Sequence, residues 1–297
     1  MNYYLELAAK YGKAIRITHG FFREDANEGN LTVNDEFMSK RAEKLIRFAE
    51  QAFDKGIPVE ISVAAEAFGK DGGWNTYNDR FIKVYGKNYL IRSFSVFYEE
   101  FVKLNENRKN NGLEPLVFGK DITLGYSDDY LEASKTKVQI VNQALARVEE
   151  AIQKKYGILI PIDTITEAHI HADPGNERGW DTVYALELLK NPGKVKNNLE
   201  SLANAAQARG GKLILGEVDV SQNVPLFVRA GATGTLLQMI LDINHDDPLN
   251  PPIPSITLWT ALDLSKANPG FYLNTDYTNP GITYWLWLKI LLENLQK

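Results

Sequence analysis

Pro58-Val59-Glu60-Ile61-Ser62-Val63-Ala64-Ala65-Glu66 is the stretch that decides how this chain folds. It is a short β-type run closed by a carboxylate, and Gly56-Ile57-Pro58 ahead of it reads as a helix stop followed by a strand start. A second run, Lys212-Leu213-Ile214-Leu215-Gly216, comes after Gly210-Gly211 and is closed by Glu217. Two further strand-like runs lie between these two, which sets the glutamates three βα units apart. In a parallel sheet curled into a barrel, that spacing puts them across the mouth from each other, at the carboxyl ends of the strands where such barrels do chemistry.

Working outward, short apolar runs alternate with helical periodicity, the pattern of repeated βα units. Strands are expected near Ala14–Phe21, Pro58–Ala65, Pro115–Gly119, Ile162–Ile170, Lys212–Val218 and Ser255–Ala261, with a weaker one at Asn30–Val33. Helices are expected at Glu36–Lys55, Asn88–Glu106, Ser134–Lys155, Val195–Ala208, Thr235–Leu241 and from Thr283 onward. The expected fold class is α/β, a (β/α)8 TIM-barrel-like single domain over residues 1–297. Six or seven strands fall short of eight, and the shortage lies N-terminal to Glu66, so that side of the barrel is expected to be abbreviated.

Bulk properties narrow the function classes. The chain has 297 residues, a 44% apolar and 11% aromatic content, and a net charge of −5, enough for a sizeable core and against a phosphate-binding surface. There is no cysteine, which removes disulfides, thiolate catalysis and cysteine-ligated zinc. Met1 to Gly20 lacks the apolar core of a secretory signal, and Leu236–Leu241 and Ile282–Leu292 are too short and interrupted to span a bilayer. The expectation is a soluble monomer with neither nucleic acid nor membrane as partner.

Two carboxylates facing each other across a sugar-sized gap are the minimum equipment for glycoside hydrolysis. Glu217 sits between an apolar run and Val218, a poor place for an idle charge. Glu66 has a bland alternative as a solvated strand-end carboxylate, and Asp219 reads as a structural partner for a nearby donor. Trp259 is either core or a platform for a sugar face; Trp74, Trp180, Trp285 and Trp287 read as packing or rim residues. Lys120 would need burial to form a Schiff base; an ordinary lysine that at most touches substrate is the plainer reading. His169 and His171, two apart on a strand, would share a side, yet no third ligand with metal spacing accompanies them. No metal or organic cofactor is expected.

The motifs occur in a recognisable order. Glu66-Ala67-Phe68-Gly69-Lys70-Asp71-Gly72-Gly73 leads into Tyr85-Gly86-Lys87-Asn88-Tyr89. Lys135-Thr136-Lys137 with Ile140-Val141-Asn142 comes next, then Pro161-Ile162-Asp163 and Glu167-Ala168-His169-Ile170. Leu215-Gly216-Glu217-Val218-Asp219-Val220, Ile256-Thr257-Leu258-Trp259 with Asp263, and Asn279-Pro280-Gly281 complete the set. Over roughly residues 55–297 this series resembles glycoside hydrolase family 10, the retaining endo-1,4-β-xylanases. The resemblance implies Glu66 as acid/base, Glu217 as nucleophile, xylan or another β-1,4-linked polysaccharide as substrate, and a sugar site shaped by His169, Glu167 and Trp259, with Lys120 touching substrate.

The departures are specific. Ala65 stands where the family has Asn, Ile61 and Ser62 where it has Trp and Asp, Glu167 where it has Gln, and Thr260 where it has Gly. Gly119-Lys120-Asp121-Ile122 stands where the Asn-Asp-Tyr-Asn of strand five is expected. Two kept glutamates within a changed sugar shell point to a remodelled, designed or far-diverged chain. They also leave two other classes open: a barrel using one glutamate as general base on a non-sugar substrate, and an inactive carbohydrate-binding scaffold.

Overall fold

The computed structural model describes residues 2–17, 20–21, 32–69, 72–75, 79–129, 135–158, 162–170, 189–220, 226–258 and 282–295, in places by backbone alone. In chain order these are α1 (Asn2–Tyr11), β1 (Ile15–Ile17), α2 (Asp35–Phe53), β2 (Val59–Ala65), α3 (Asp79–Tyr85), α4 (Tyr89–Asn110), β3 (Ile122–Asp129) and α5 (Lys135–Tyr156). After them come β4 (Ile162–Ile170), α6 (Pro192–Gln207), β5 (Leu213–Val220), α7 (Leu226–Asn244), β6 (Ser255–Leu258) and α8 (Ile282–Leu295). Neighbouring strands keep chain order, β1-β2-β3-β4-β5-β6. The chain divides into two compact units, Met1–Asp128 with Ala133–Ile165, and Asp129–Glu132 with Thr166–Lys297.

In the first unit β2 is the central strand. Val59, Ile61, Ser62, Val63, Ala64 and Ala65 are all buried, as expected for a parallel strand covered on both faces. Its edges are both in use: Ile15 to Ile17 of β1 run parallel to Val59 to Ile61, and Val59 to Ala65 run parallel to Ile122 to Ser127 of β3. Gly20 extends the β1 side by donating to the Ser62 carbonyl at 2.6 Å. A Cβ there would lie 2.8 Å from the Val63 carbonyl oxygen and 2.9 Å from the Phe97 ring, so only glycine lets the two backbones come this close.

The helices that cover β2 are amphipathic for a local reason. In α2 the buried Met38, Ala42, Ile46, Ala49 and Ala52 form one stripe. Its start is set by Asn34, whose side-chain oxygen accepts from the Phe37 N–H at 2.8 Å. In α4 the stripe is Leu90, Phe94, Phe97, Phe101, Leu104 and Arg108. Phe21 meets Phe97 at 5.4 Å and Phe81 at 5.9 Å between ring centroids, and Tyr89 donates its hydroxyl to the Phe21 carbonyl at 3.1 Å. Burying each such ring contributes about 1.5–3 kcal/mol.

Two asparagines perform the same task in separate units. Asn105 of α4 donates its amide to the Leu116 carbonyl at 2.8 Å and accepts from the Leu116 N–H at 2.9 Å. Asn244, the last residue of α7, donates to the Ile253 carbonyl at 2.8 Å and accepts from the Ile253 N–H at 3.0 Å. Leu116 and Ile253 are both buried and both precede a strand. Each asparagine therefore supplies the pairing that strand partners would otherwise give to buried backbone groups.

This clamp corrects one expectation. The strand expected at Pro115–Gly119 is instead a strand lead-in, and β3 runs from Ile122 to Asp129. Asn105 takes both backbone groups of Leu116, Asp121 Oδ2 accepts from the Val117 N–H at 2.7 Å, and the Gly119 N–H turns to the Ile122 carbonyl at 2.8 Å. Lys120 thus lies exposed in the turn at the amino end of β3, not at a strand exit. Thr32 and Val33 are irregular backbone leading into α2, and Asn30, Leu31 and His19 lie outside the described residues. The helix α1 adds to the expected set, and α7 is longer than the expected Thr235–Leu241.

In the second unit β5 buries Leu213, Ile214 and Leu215 and pairs in parallel with β6. The stripe Val195, Leu199, Leu202, Ala203 and Ala206 of α6 is buried. At Gly234 of α7 a Cβ would lie 2.8 Å from the Leu286 side chain, so α7 and α8 approach closely there.

A chain of polar contacts ties the helices of the first unit together outside the core. Glu99 of α4 accepts from Lys155 Nζ at 2.8 Å, from the Tyr156 hydroxyl at 2.7 Å and from Arg92 at 3.3 Å. Arg92 also donates to Asp35 at 3.0 Å, which accepts from the Tyr85 hydroxyl at 2.9 Å. Burial pushes the Glu99 carboxyl upward, but the hydrogen bonds from Lys155 and Tyr156 and the charges of Lys155 and Arg92 outweigh it and hold it below its ordinary value. Burial, then the bond to Asp35 and its charge, push Tyr85 up to about 12.

Two measurements test these contacts. Asn105→Ala and Asn244→Ala should each cost about 1–3 kcal/mol in urea unfolding, since each strands two buried backbone groups; a loss under ~0.5 kcal/mol would contradict the clamp. The pH dependence has a defined sign at each end. The lowered Glu99 stabilises fully above its ordinary 4.5 and the benefit disappears as pH falls through its folded value. The raised Tyr85 stabilises below its ordinary 10.0 and the benefit disappears as pH rises toward about 12. Unfolding midpoints against pH should lose part of their acid fall in Glu99→Gln and part of their alkaline fall in Tyr85→Phe.

Candidate active site

The carboxyl end of β2 is irregular where function was expected. Ser62 pairs with Gly125 and Ala64 with Tyr126, so Val63 is one residue too many against β3. Such bulges bend a strand and re-aim the side chains beyond the bend. Three residues later the Glu66 N–H donates to the Ser127 carbonyl at 2.8 Å, and Glu66 adopts φ +43°. It is the one non-glycine residue with positive φ among the described residues. For a residue with a Cβ this conformation costs roughly 1–2 kcal/mol, and such strain clusters at functional sites. Glu66 is half-buried.

The chain then turns back on itself. Asn75 donates to the Ala67 carbonyl at 2.9 Å and Gly69 to the Gly73 carbonyl at 2.7 Å, while Phe68 and Trp74 form an antiparallel bridge. Their rings stack at 4.8 Å with 21° between planes; Trp74 presents an edge contact to Tyr89, and Phe68 one to Tyr126, each at 6.4 Å. Phe68 and Trp74, which follow Glu66 in the chain, thus join Tyr89 of α4 and Tyr126 of β3 in an aromatic wall of four rings.

The exit of β3 adds a group that the sequence reading missed. Tyr126, Ser127 and Asp128 are all buried. Asp128 Oδ2 accepts from the Tyr126 hydroxyl at 3.0 Å, and Asp128 Oδ1 accepts from Lys137 Nζ of α5 at 3.4 Å. The Lys137 and Asp128 side chains are 4% and 1% exposed. The polar tail Gly125 to Asp129 reads as loop by hydropathy alone, whereas the available signal was Tyr126 and Asp128 two apart, on one strand face.

In the second unit, β5 also carries an irregularity at the candidate glutamate. Leu215 pairs with Ile256 and Val218 with Leu258, so Gly216 and Glu217 together oppose Thr257 alone. Glu217 lies within β5, and Glu167 and His169 lie on β4, with their side chains outside the described residues. Trp259 and His171 lie outside them altogether. Lys120 is at the opposite end of β3 from Ser127, so it stands apart from the strand exits where chemistry is done in such folds. Among the described residues there is no cluster of three or more His, Asp or Glu suited to a metal, and no helix is long and apolar enough to cross a membrane.

Neither a family model nor a curated protein matches the sequence. Solved structures do match. The chain is similar to native xylanase 10B from Thermotoga maritima, with 14% identity, a TM-score of 0.61, and coverage of 99% of this chain and 79% of that one. It is similar to the endo-1,4-beta-xylanase XylE of Penicillium canescens, with 15% identity, a TM-score of 0.62, and coverage of 97% and 77%. An intracellular xylanase of Thermoanaerobacterium saccharolyticum, solved as a mutant with xylotetraose, matches at 15% identity and a TM-score of 0.60 over 96% and 79%. At such identity the likeness shows the fold, and the fold is α/β of the (β/α)8-barrel type, as the order of motifs led us to expect.

Proposed function

We propose that this chain is a retaining glycoside hydrolase acting on a β-1,4-linked polysaccharide, xylan in the first place. The observation that carries the proposal is Glu66: a carboxylate held in strained backbone at the carboxyl end of a buried parallel strand, within the fold that the xylanases share. Glu217 supports it by its place on a register irregularity of β5.

In the proposed reaction the Glu217 carboxylate attacks the anomeric carbon while Glu66 gives its proton to the departing glycosidic oxygen, leaving a glycosyl-enzyme. Glu66, now ionised, takes a proton from water, whose oxygen bonds to the anomeric carbon and frees Glu217. Glu167, His169 and Trp259 are proposed to shape the sugar site, Trp259 by stacking. Lys120 is left out because of its place at the amino end of β3. No cofactor takes part in these steps.

Release of reducing sugar from xylan tests the proposal. Glu217→Gln should lower it by at least ~10³-fold, since a nucleophile acts as part of one unit with its partners; an unchanged rate excludes that role. Glu66→Gln should lose xylan turnover and slow release of the glycosyl-enzyme, while keeping most of its kcat/KM on aryl xylobiosides whose leaving group departs without a proton, since kcat/KM reports the first bond cleavage. Turnover of a carbon acid with no glycoside cleavage by the wild type would replace the hydrolase reading with proton abstraction.

A further inference from the structure

We infer that the buried Asp128–Lys137 ion pair is a positioning device for Glu66, acting through the Ser127 carbonyl; this rests on the reading of Glu66 as the acid/base. Glu66 needs something outside itself to hold it, because its left-handed backbone is unfavourable and its own position offers no glycine to relieve it. The hydrogen bond that meets its N–H comes from Ser127, which is also the register partner of Ala65. Ser127 is flanked by Tyr126 and Asp128. Those two are joined to each other at 3.0 Å, and Asp128 is joined to Lys137 at 3.4 Å. The direction of the Ser127 carbonyl is therefore set from both sides.

The choice of charges is itself informative. A pair of apolar side chains of similar volume would stabilise such a buried spot as well or better, so an ion pair at 4% and 1% exposure is costly for stability alone. What a hydrogen-bonded pair provides is direction, since it joins the strand exit to α5 in a single geometry. A displacement of about 1 Å at a reacting group costs up to ~10²-fold in rate. Asp128 and Lys137 are thus positioning residues, and the group they position is the one that must protonate the leaving oxygen.

The test compares two substrates on each protein preparation: 4-methylphenyl and 2,4-dinitrophenyl β-xylobioside. The first leaving group needs a proton from Glu66 and the second does not. In Asp128→Asn and Lys137→Met, kcat/KM on the methylphenyl substrate should fall about 10–100-fold and on the dinitrophenyl substrate less than about 3-fold. The ratio of the two is independent of how much protein has folded, and Lys137→Arg should restore most of it. Equal losses on both substrates, or no loss on either, would overturn the positioning role. A wild type that cleaves neither substrate would overturn the hydrolase reading, and this inference with it.

Discussion

The hydrogen bond from the Glu66 N–H to the Ser127 carbonyl, at 2.8 Å, is the constraint on which the first unit's working end depends. It is the last rung between β2 and β3, placed after a register irregularity at Val63 and at the point where the backbone turns left-handed. The strand Val59 to Ala65 ends where Glu66 takes its left-handed torsion. From there the chain leaves the sheet and folds back through the Phe68–Trp74 bridge. The aromatic wall is a consequence of that turn.

The amino and carboxyl ends of the strands are held by different chemistry. Ahead of β3 and β6, neutral asparagine amides satisfy buried backbone groups. Such bonds contribute about 1 kcal/mol each and leave no charge to desolvate. At the exit of β3, a carboxylate and an ammonium are buried together. Desolvating them offsets much of their attraction. The inexpensive solution stands where only stability is asked for, and the costly one where direction is needed.

Much of the fold was legible because parallel strands announce themselves. Ile162–Ile170 was expected where β4 lies, and the runs ending at Glu66 and near Val218 were found because apolar, β-branched residues stand between glycine stops. β3 was misplaced because Leu116, Val117 and Phe118 look more strand-like than Gly125 to Asp129; the deciding partner, Asn105, sits eleven residues before Leu116 on a helix. Lys120 was misplaced with it. Glu66 was legible as a residue type at a strand end, but its φ was not, since torsion is set by Ser127 of another strand. The Asp128–Lys137 contact was equally hidden, nine residues apart across a connection.

The torsion at Glu66 sets backbone comfort against the carboxylate it carries. Glycine and asparagine occupy that backbone region more readily than glutamate does. Either residue at position 66 would relieve the backbone and remove the carboxylate in the same step. At this one residue, ease of folding and the proposed acid/base therefore pull in opposite directions.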